Sequence, residues 1–183
     1  MVHVCIKAIF KPFFNIICEI IRTKRLMADK DKNYRPNVAA IVLSSKYPHK
    51  CEIFIASRTD VENAWQFPQG GIDKGETPRV ALMRELKEEI GTDAVEIIAE
   101  YPEWVSYDFP PQIAEKMKPY DGQRQRYFLV KLKNDAKIDL DTHVPEFSSY
   151  RFVKYKEINE YVAFFKRTVY KQVLKYFKKE GYL

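Results

Sequence analysis

Three glutamates, Glu85, Glu88 and Glu89, lie within five consecutive residues, shortly after a glycine-rich stretch, Gln69-Gly70-Gly71. At about 100° per residue, a helix brings the three carboxylates together on one face. Like charges held so close repel one another, and a cation among them relieves the cost. An oxygen-only donor set selects a hard ion, Mg2+ or Mn2+, which keeps waters that a phosphate can displace. A solvated acidic helix face would account for the glutamates alone. It would not account for the frame around them: Gly70, five residues, Glu76, seven residues, then Arg84-Glu85-Leu86-x-Glu88-Glu89-x-Gly91. Seven fixed polar and glycine letters match a given window by chance on the order of 10⁻⁹.

The elements that must position these groups are legible around them. Thr77-Pro78 has the form of an N-cap followed by proline at the first helical position, and Gly91 suits a left-handed helix end. Leu82, Met83, Leu86 and Ile90 recur at three- and four-residue spacing and form the expected buried stripe, with small Ala81 one turn below Glu85. Strands are expected at Asn37–Ser44, Glu52–Ser57, Val95–Tyr101, Glu103–Asp108, Gln123–Leu132 and Ser148–Tyr155. Trp65–Pro68 is a short lead into the glycine loop, and Pro110–Asp121, with three prolines, reads as a long loop. Lys156–Tyr161 begins a helical region. Lys166–Lys179 is an amphipathic helix with Val169, Tyr170, Val173, Leu174 and Phe177 inward. Strands mixed with helices, without regular βαβ repetition, give an α+β class with a mixed sheet between helices.

The 183 residues suit one domain, and 46% hydrophobic and 14% aromatic content argue for a packed core rather than disorder. Cys5, Cys18 and Cys51 show no paired spacing, so no disulfide framework is expected, and a reducing cytoplasm is. Neither Cys nor His clusters as zinc ligands would. Residues 1–26 are apolar but interrupted by Lys11, Pro12, Asn15 and Glu19, short of a membrane span. They read as an extension upstream of a start at Met27, with the domain proper at 27–183. The net charge of +6 is uneven: residues 163–183 hold six Lys or Arg against Glu180. A basic tail beside an acidic metal centre suits a polyanion threaded toward the metal.

The segment Gly70–Thr92 resembles the signature of the Nudix hydrolases. Only Thr92, at a position that is usually bulky and aliphatic, departs. The resemblance implies a mixed sheet sandwiched between helices and hydrolysis of diphosphate linkages on a nucleoside with divalent cations. It implies Glu85, Glu88 and Glu89 as metal ligands, the Gly70 carbonyl completing the shell, and Arg84 with Glu76 holding loop and helix together behind them.

Stretches outside the signature narrow the substrate. Tyr34-Arg-Pro-Asn-Val38, Trp65 to Ile72 (WQFPQGGI), Gly122 to Phe128 (GQRQRYF), Pro145-Glu-Phe147 and Phe165-Lys-Arg167 resemble, in that order, the bacterial RNA pyrophosphohydrolases. They are also similar to the asymmetric diadenosine tetraphosphate hydrolases, which give ATP and AMP. The first likeness implies removal of pyrophosphate from a 5′-triphosphorylated RNA end, starting mRNA decay. It implies Glu146 as a further carboxylate of the metal cluster, Arg35 and Arg58 at phosphate or stacked on RNA, and Phe165 with Lys166 reading a nucleotide. Gln123, Arg124 and Arg126 are candidate phosphate contacts, although strand alternation puts Gln123 on the opposite face from the two arginines. Trp65 and Trp104 are expected to pack rather than stack on bases. Two or more Mg2+ or Mn2+ ions are expected in the active complex. Glu85 is the first candidate to take the proton of the attacking water, with Glu89 and Glu146 open. The partner is an RNA 5′ end, with no DNA and no obligatory protein partner.

Overall fold

A computed structural model describes residues 32–183; the segment 1–26 lies outside the described residues. Strand β1 (Tyr34–Leu43) is the axis of the fold. Its run from Asn37 to Leu43 is buried at every position, as a strand covered on both faces requires. Strand β7 (Gly122–Leu132) lies parallel beside it, in register from Tyr34 opposite Gly122 to Leu43 opposite Lys131. The sheet runs β3 (Trp65–Gln66), β2 (Ile53–Arg58), β1, β7, β5 (Val95–Glu100). Strand β4 (Gln69–Gly71) pairs with β1, β6 (Val105–Asp108) with β7, and β8 (Phe147–Val153) with β2.

Helix α1 (Pro78–Ile90) covers one face of this sheet. Its start is capped by Thr77, whose hydroxyl accepts from the Val80 amide at 3.4 Å, and Gly91 ends it at φ 73°. A Cβ on Gly91 would lie 2.6 Å from the Asp139 carbonyl, so the cap is closed by backbone as well as by conformation. Ala81, Leu82, Leu86 and Ile90 pack on Val38, Ala40, Val42, Phe54, Phe128 and Val130. Each fully buried Leu or Ile contributes about 1.5–3 kcal/mol to holding the helix there. Met83, expected in the stripe, is only half-buried.

Helix α2 (Pro111–Lys116) occupies part of the stretch expected to be loop. Proline is tolerated at its first position, and the helix buries no residue, so no apolar periodicity announces it. A single turn, α3 (Ile158–Tyr161), leads to α4 (Phe164–Lys179), which covers the other face of the sheet. There Val169, Tyr170, Val173, Leu174 and Phe177 meet Ala39, Ile41, Phe67, Tyr127 and Leu129. Tyr170 stacks on Phe67 at 4.2 Å, and its hydroxyl accepts from the Phe67 amide at 3.0 Å. The result is a mixed sheet between helices. Among the described residues no helix is long and apolar enough to cross a membrane.

Candidate active site

Pairing with β1 fixes the glycine loop against the middle and last turns of α1, at Arg84, Glu85 and Glu89. Val38 sits opposite Gly70, the Ala40 amide donates to the Pro68 carbonyl, and the Ile72 amide donates to the Pro36 carbonyl. A Cβ on Gly70 would lie 1.8 Å from the Glu85 carboxyl, so only glycine lets that carboxylate rest against the loop. A Cβ on Gly71 would lie 2.4 Å from the Arg35 guanidinium, which places Arg35 beside the same loop.

Arg84 ties the assembly together. Its Nε and Nη2 grip the two oxygens of Glu76 at 2.9 and 2.8 Å, and Nη2 also donates to the Gly71 carbonyl at 2.8 Å. Nη1 donates to Glu85 at 2.7 Å and to Glu88 at 3.2 Å. This guanidinium holds the Glu76 carboxyl down to about 2, aided by the Asp73 amide that donates to it.

Glu89 is 1% exposed. One of its oxygens accepts from the Gln69 amide at 2.8 Å, while the other, Oε1, is buried without a hydrogen-bond partner. Burial first, then the charge of Glu146, pushes its carboxyl well above the usual range. Burial likewise pushes Glu85 up against the pull of Arg84, with Glu88 and Glu146 adding to the rise. Glu146 is therefore within electrostatic reach of both, and its backbone carbonyl is anchored by the Thr59 amide at 2.9 Å.

Among the described residues, no three carboxylates converge tightly enough to enclose an ion by side-chain position alone. Glu85 and Glu88 are turned toward Arg84, whose single charge they share with Glu76. A divalent cation nevertheless fits the chemistry of the cluster. The orphaned, buried carboxylate oxygen of Glu89, beside the half-buried carboxylate of Glu85, is costly unless a cation satisfies both. The available donors are all oxygen.

The expected substrate contacts divide into three groups. Arg35 and Arg58 lie by the loop and the carboxylates; Arg58 is clamped by Asp60 at 2.6 and 2.7 Å and feels the charges of Glu146 and Glu89. Arg124 and Arg126 project from the opposite face of β7 to Gln123, and both guanidinium groups lie over Trp104, at 5.2 and 5.6 Å from its ring centre. Arg126 is further held by Glu100 and the Pro102 carbonyl. Trp104, expected to pack, is thus 37% exposed and carries two cations on its ring. Gln123 and Lys166, the other candidates for substrate contact, are both buried and form a floor behind the loop. Gln123 accepts from Gln69 and from the Tyr107 hydroxyl, and Lys166 donates to Gln66 at 2.6 Å and Gln69 at 3.0 Å. Burial, with Arg58 nearby, pulls the Lys166 ammonium down to about 7.

Phe165 is half-buried against Tyr107, whereas the preceding Phe164 is 83% exposed. The floor continues inward: Gln125 donates to Asn37 at 2.6 Å and accepts from the Tyr127 hydroxyl. Gln66, Gln69, Asn37 and Gln125 all lie in the stretches that carry the resemblance, but neither composition nor spacing marks any of them as a site residue. The alternation of Gln with Arg in β7 was the one signal that a polar row faced inward there.

The NUDIX domain profile matches residues 33–173. A Nitratiruptor sp. protein named RNA pyrophosphohydrolase is 74% identical over 151 residues, which is 82% of this chain and 97% of that protein. A Helicobacter pylori protein of the same name is 60% identical over 152 residues, 83% of this chain and 98% of its own length. Among solved structures, the Escherichia coli dihydroneopterin triphosphate pyrophosphohydrolase superposes with a TM-score of 0.62 at 18% identity, covering 78% of this chain and 98% of that one. At that identity the superposition speaks for the fold.

Proposed function

The chain belongs to the NUDIX family, and from that premise we propose that it is an RNA 5′ pyrophosphohydrolase. It converts 5′-triphosphorylated or 5′-diphosphorylated RNA ends to 5′-monophosphate in the cytoplasm and so opens transcripts to decay. The observation that carries the substrate is the 74% identity to a relative of that name across nearly all of the relative's length.

Glu85, Glu89, Glu146 and the Gly70 carbonyl would hold Mg2+ or Mn2+, two or more ions in the active complex, with Glu88 at the outer edge. A divalent cation bound there supplies Lewis-acid polarisation of phosphorus–oxygen bonds and a lowered pKa for an attacking water. Glu85 is the group we assign to receive that water's proton. Its support is the contact with Gly70 and a carboxyl raised by burial, which makes it a better base than a free glutamate. Arg84 and Glu76 hold helix and loop in register, so that Glu85 keeps its place through turnover. Arg35 and Arg58 neutralise charge on the polyphosphate. Gln66, Gln69 and Gln123, with Lys166, form a rigid polar floor behind the loop.

The test compares 5′-triphosphorylated RNA with diadenosine tetraphosphate in Mg2+. Faster release of pyrophosphate or phosphate from RNA, leaving a 5′-monophosphate, is the expected result. Faster formation of ATP and AMP would move the chain to dinucleoside polyphosphate hydrolysis instead.

A further inference from the structure

Helix α4 carries no acidic residue between Phe164 and Lys179, yet it holds Lys166, Arg167, Lys171, Lys175, Lys178 and Lys179. Lys166 is buried; the other five are exposed. At about 100° per residue, Phe164, Arg167, Lys171, Lys175 and Lys178 fall within an arc of about 80°, and they extend along about 21 Å of helix. No carboxylate among the described residues pairs with any of the four cations. Lys178 donates to the Tyr155 hydroxyl and Arg167 to the Val162 carbonyl, contacts that orient the side chains and leave the charges unneutralised. The first turn of the same helix abuts the site: Lys166 is bonded to Gln69, whose amide is bonded to Glu89. At the head of the row stands Phe164, the most exposed large hydrophobic side chain among the described residues. An aromatic face leading a line of cations is the pattern by which proteins follow a single strand, stacking a base and tracking its phosphates. The four-residue rise of a helix, about 6 Å, is comparable to the spacing of successive phosphates on an extended strand.

We propose that the ridge Phe164–Arg167–Lys171–Lys175–Lys178 is a track for single-stranded RNA downstream of the 5′ end held at the carboxylate site. The proposal rests on the RNA reading above and adds to it a surface that discriminates long RNA from short. A transcript engages the whole ridge, whereas a dinucleotide ends before Lys171, about 10 Å beyond Phe164.

The experiment compares kcat/KM for a 5′-triphosphorylated dinucleotide and a 5′-triphosphorylated unstructured RNA of about 20 nucleotides, in the full chain and in K171Q/K175Q/K178Q. Gln and Lys have similar helix propensity, so the variant keeps the helix. The expected result is a fall of about 10-fold in the ratio of long to short, with the salt dependence of log kcat/KM on long RNA shallower by about 2, at roughly 0.7 per lost phosphate contact. K171R/K175R/K178R restores the ratio. An unchanged ratio and salt slope, as for a ridge that serves an anionic membrane or an acidic protein, overturns the track while leaving the activity standing. A wild-type chain inactive on both RNAs overturns the functional reading and the track together.

Discussion

Replacing Gly70 with alanine separates the catalytic use of the loop from its structural use. The added Cβ would start 1.8 Å from the Glu85 carboxyl, where ordinary contact begins at 3.4 Å, so the carboxylate must retreat by well over an ångström. The obstruction is the far end of a flexible side chain, and Gly70 is not among the glycines with positive φ, so the backbone accepts the substitution. The fold then loses little: the lost Arg84–Glu85 contact is partly exposed, and Gly→Ala stiffens the unfolded chain by about 0.4–1 kcal/mol. Net stability should stay within about 1 kcal/mol of the parent, a Tm shift of no more than about 4 °C for a domain of this size. Turnover should suffer far more, since a misplacement near 1 Å at a reacting group costs on the order of 10²-fold. Pyrophosphate release from 5′-triphosphorylated RNA measures the first effect and thermal melting the second. In a Glu85→Ala background the same substitution should cost nothing further, because there is no carboxylate left to displace. Wild-type turnover in Gly70→Ala, or equal losses in both backgrounds, would refute the reasoning.

Gly91→Ala should show the opposite split: a left-handed φ of 73° and a backbone carbonyl 2.6 Å away predict destabilisation of about 2 kcal/mol or more in chemical denaturation, with kcat retained below the unfolding range. The Glu76–Arg84 pair sets a pH signature. Because the folded carboxyl is depressed to about 2 from 4.5, its contribution is present above pH 4.5 and disappears as pH falls toward 2. Glu76→Gln should therefore lose stability less steeply than the parent across that window in pH-dependent melting, and parallel curves would contradict the pairing.

The sequence announced helix α1 clearly because its constraints are local. Thr77, Pro78 and Gly91 each act through neighbouring backbone, and the spacing of Glu85, Glu88 and Glu89 is a property of one helix. Glu146 was reached through resemblance alone, since its approach to Glu89 depends on how β8 joins β2, which no local pattern encodes. Gln123 and Lys166, candidates for substrate contact, are buried behind the glycine loop. Polar side chains normally read as exposed, and their burial here depends on mutual hydrogen bonds among residues far apart in sequence, Gln66, Gln69, Gln123 and Lys166. Trp104, expected to pack, does so at the surface under the guanidinium groups of Arg124 and Arg126, a contact across to β7 that no local pattern encodes. Helix α2 escaped notice because it buries nothing.

The most direct test of the account is the turnover of 5′-triphosphorylated RNA by Glu89→Gln in Mg2+, with folding followed by melting. Amide replaces carboxylate in the same volume and removes a buried charge, so without added Mg2+ the variant should melt at or above the parent temperature, while its turnover in Mg2+ falls by about 10²-fold or more as the metal loses a ligand. A variant that melts normally and still converts RNA ends at the parent rate would contradict a carboxylate-centred pyrophosphohydrolase.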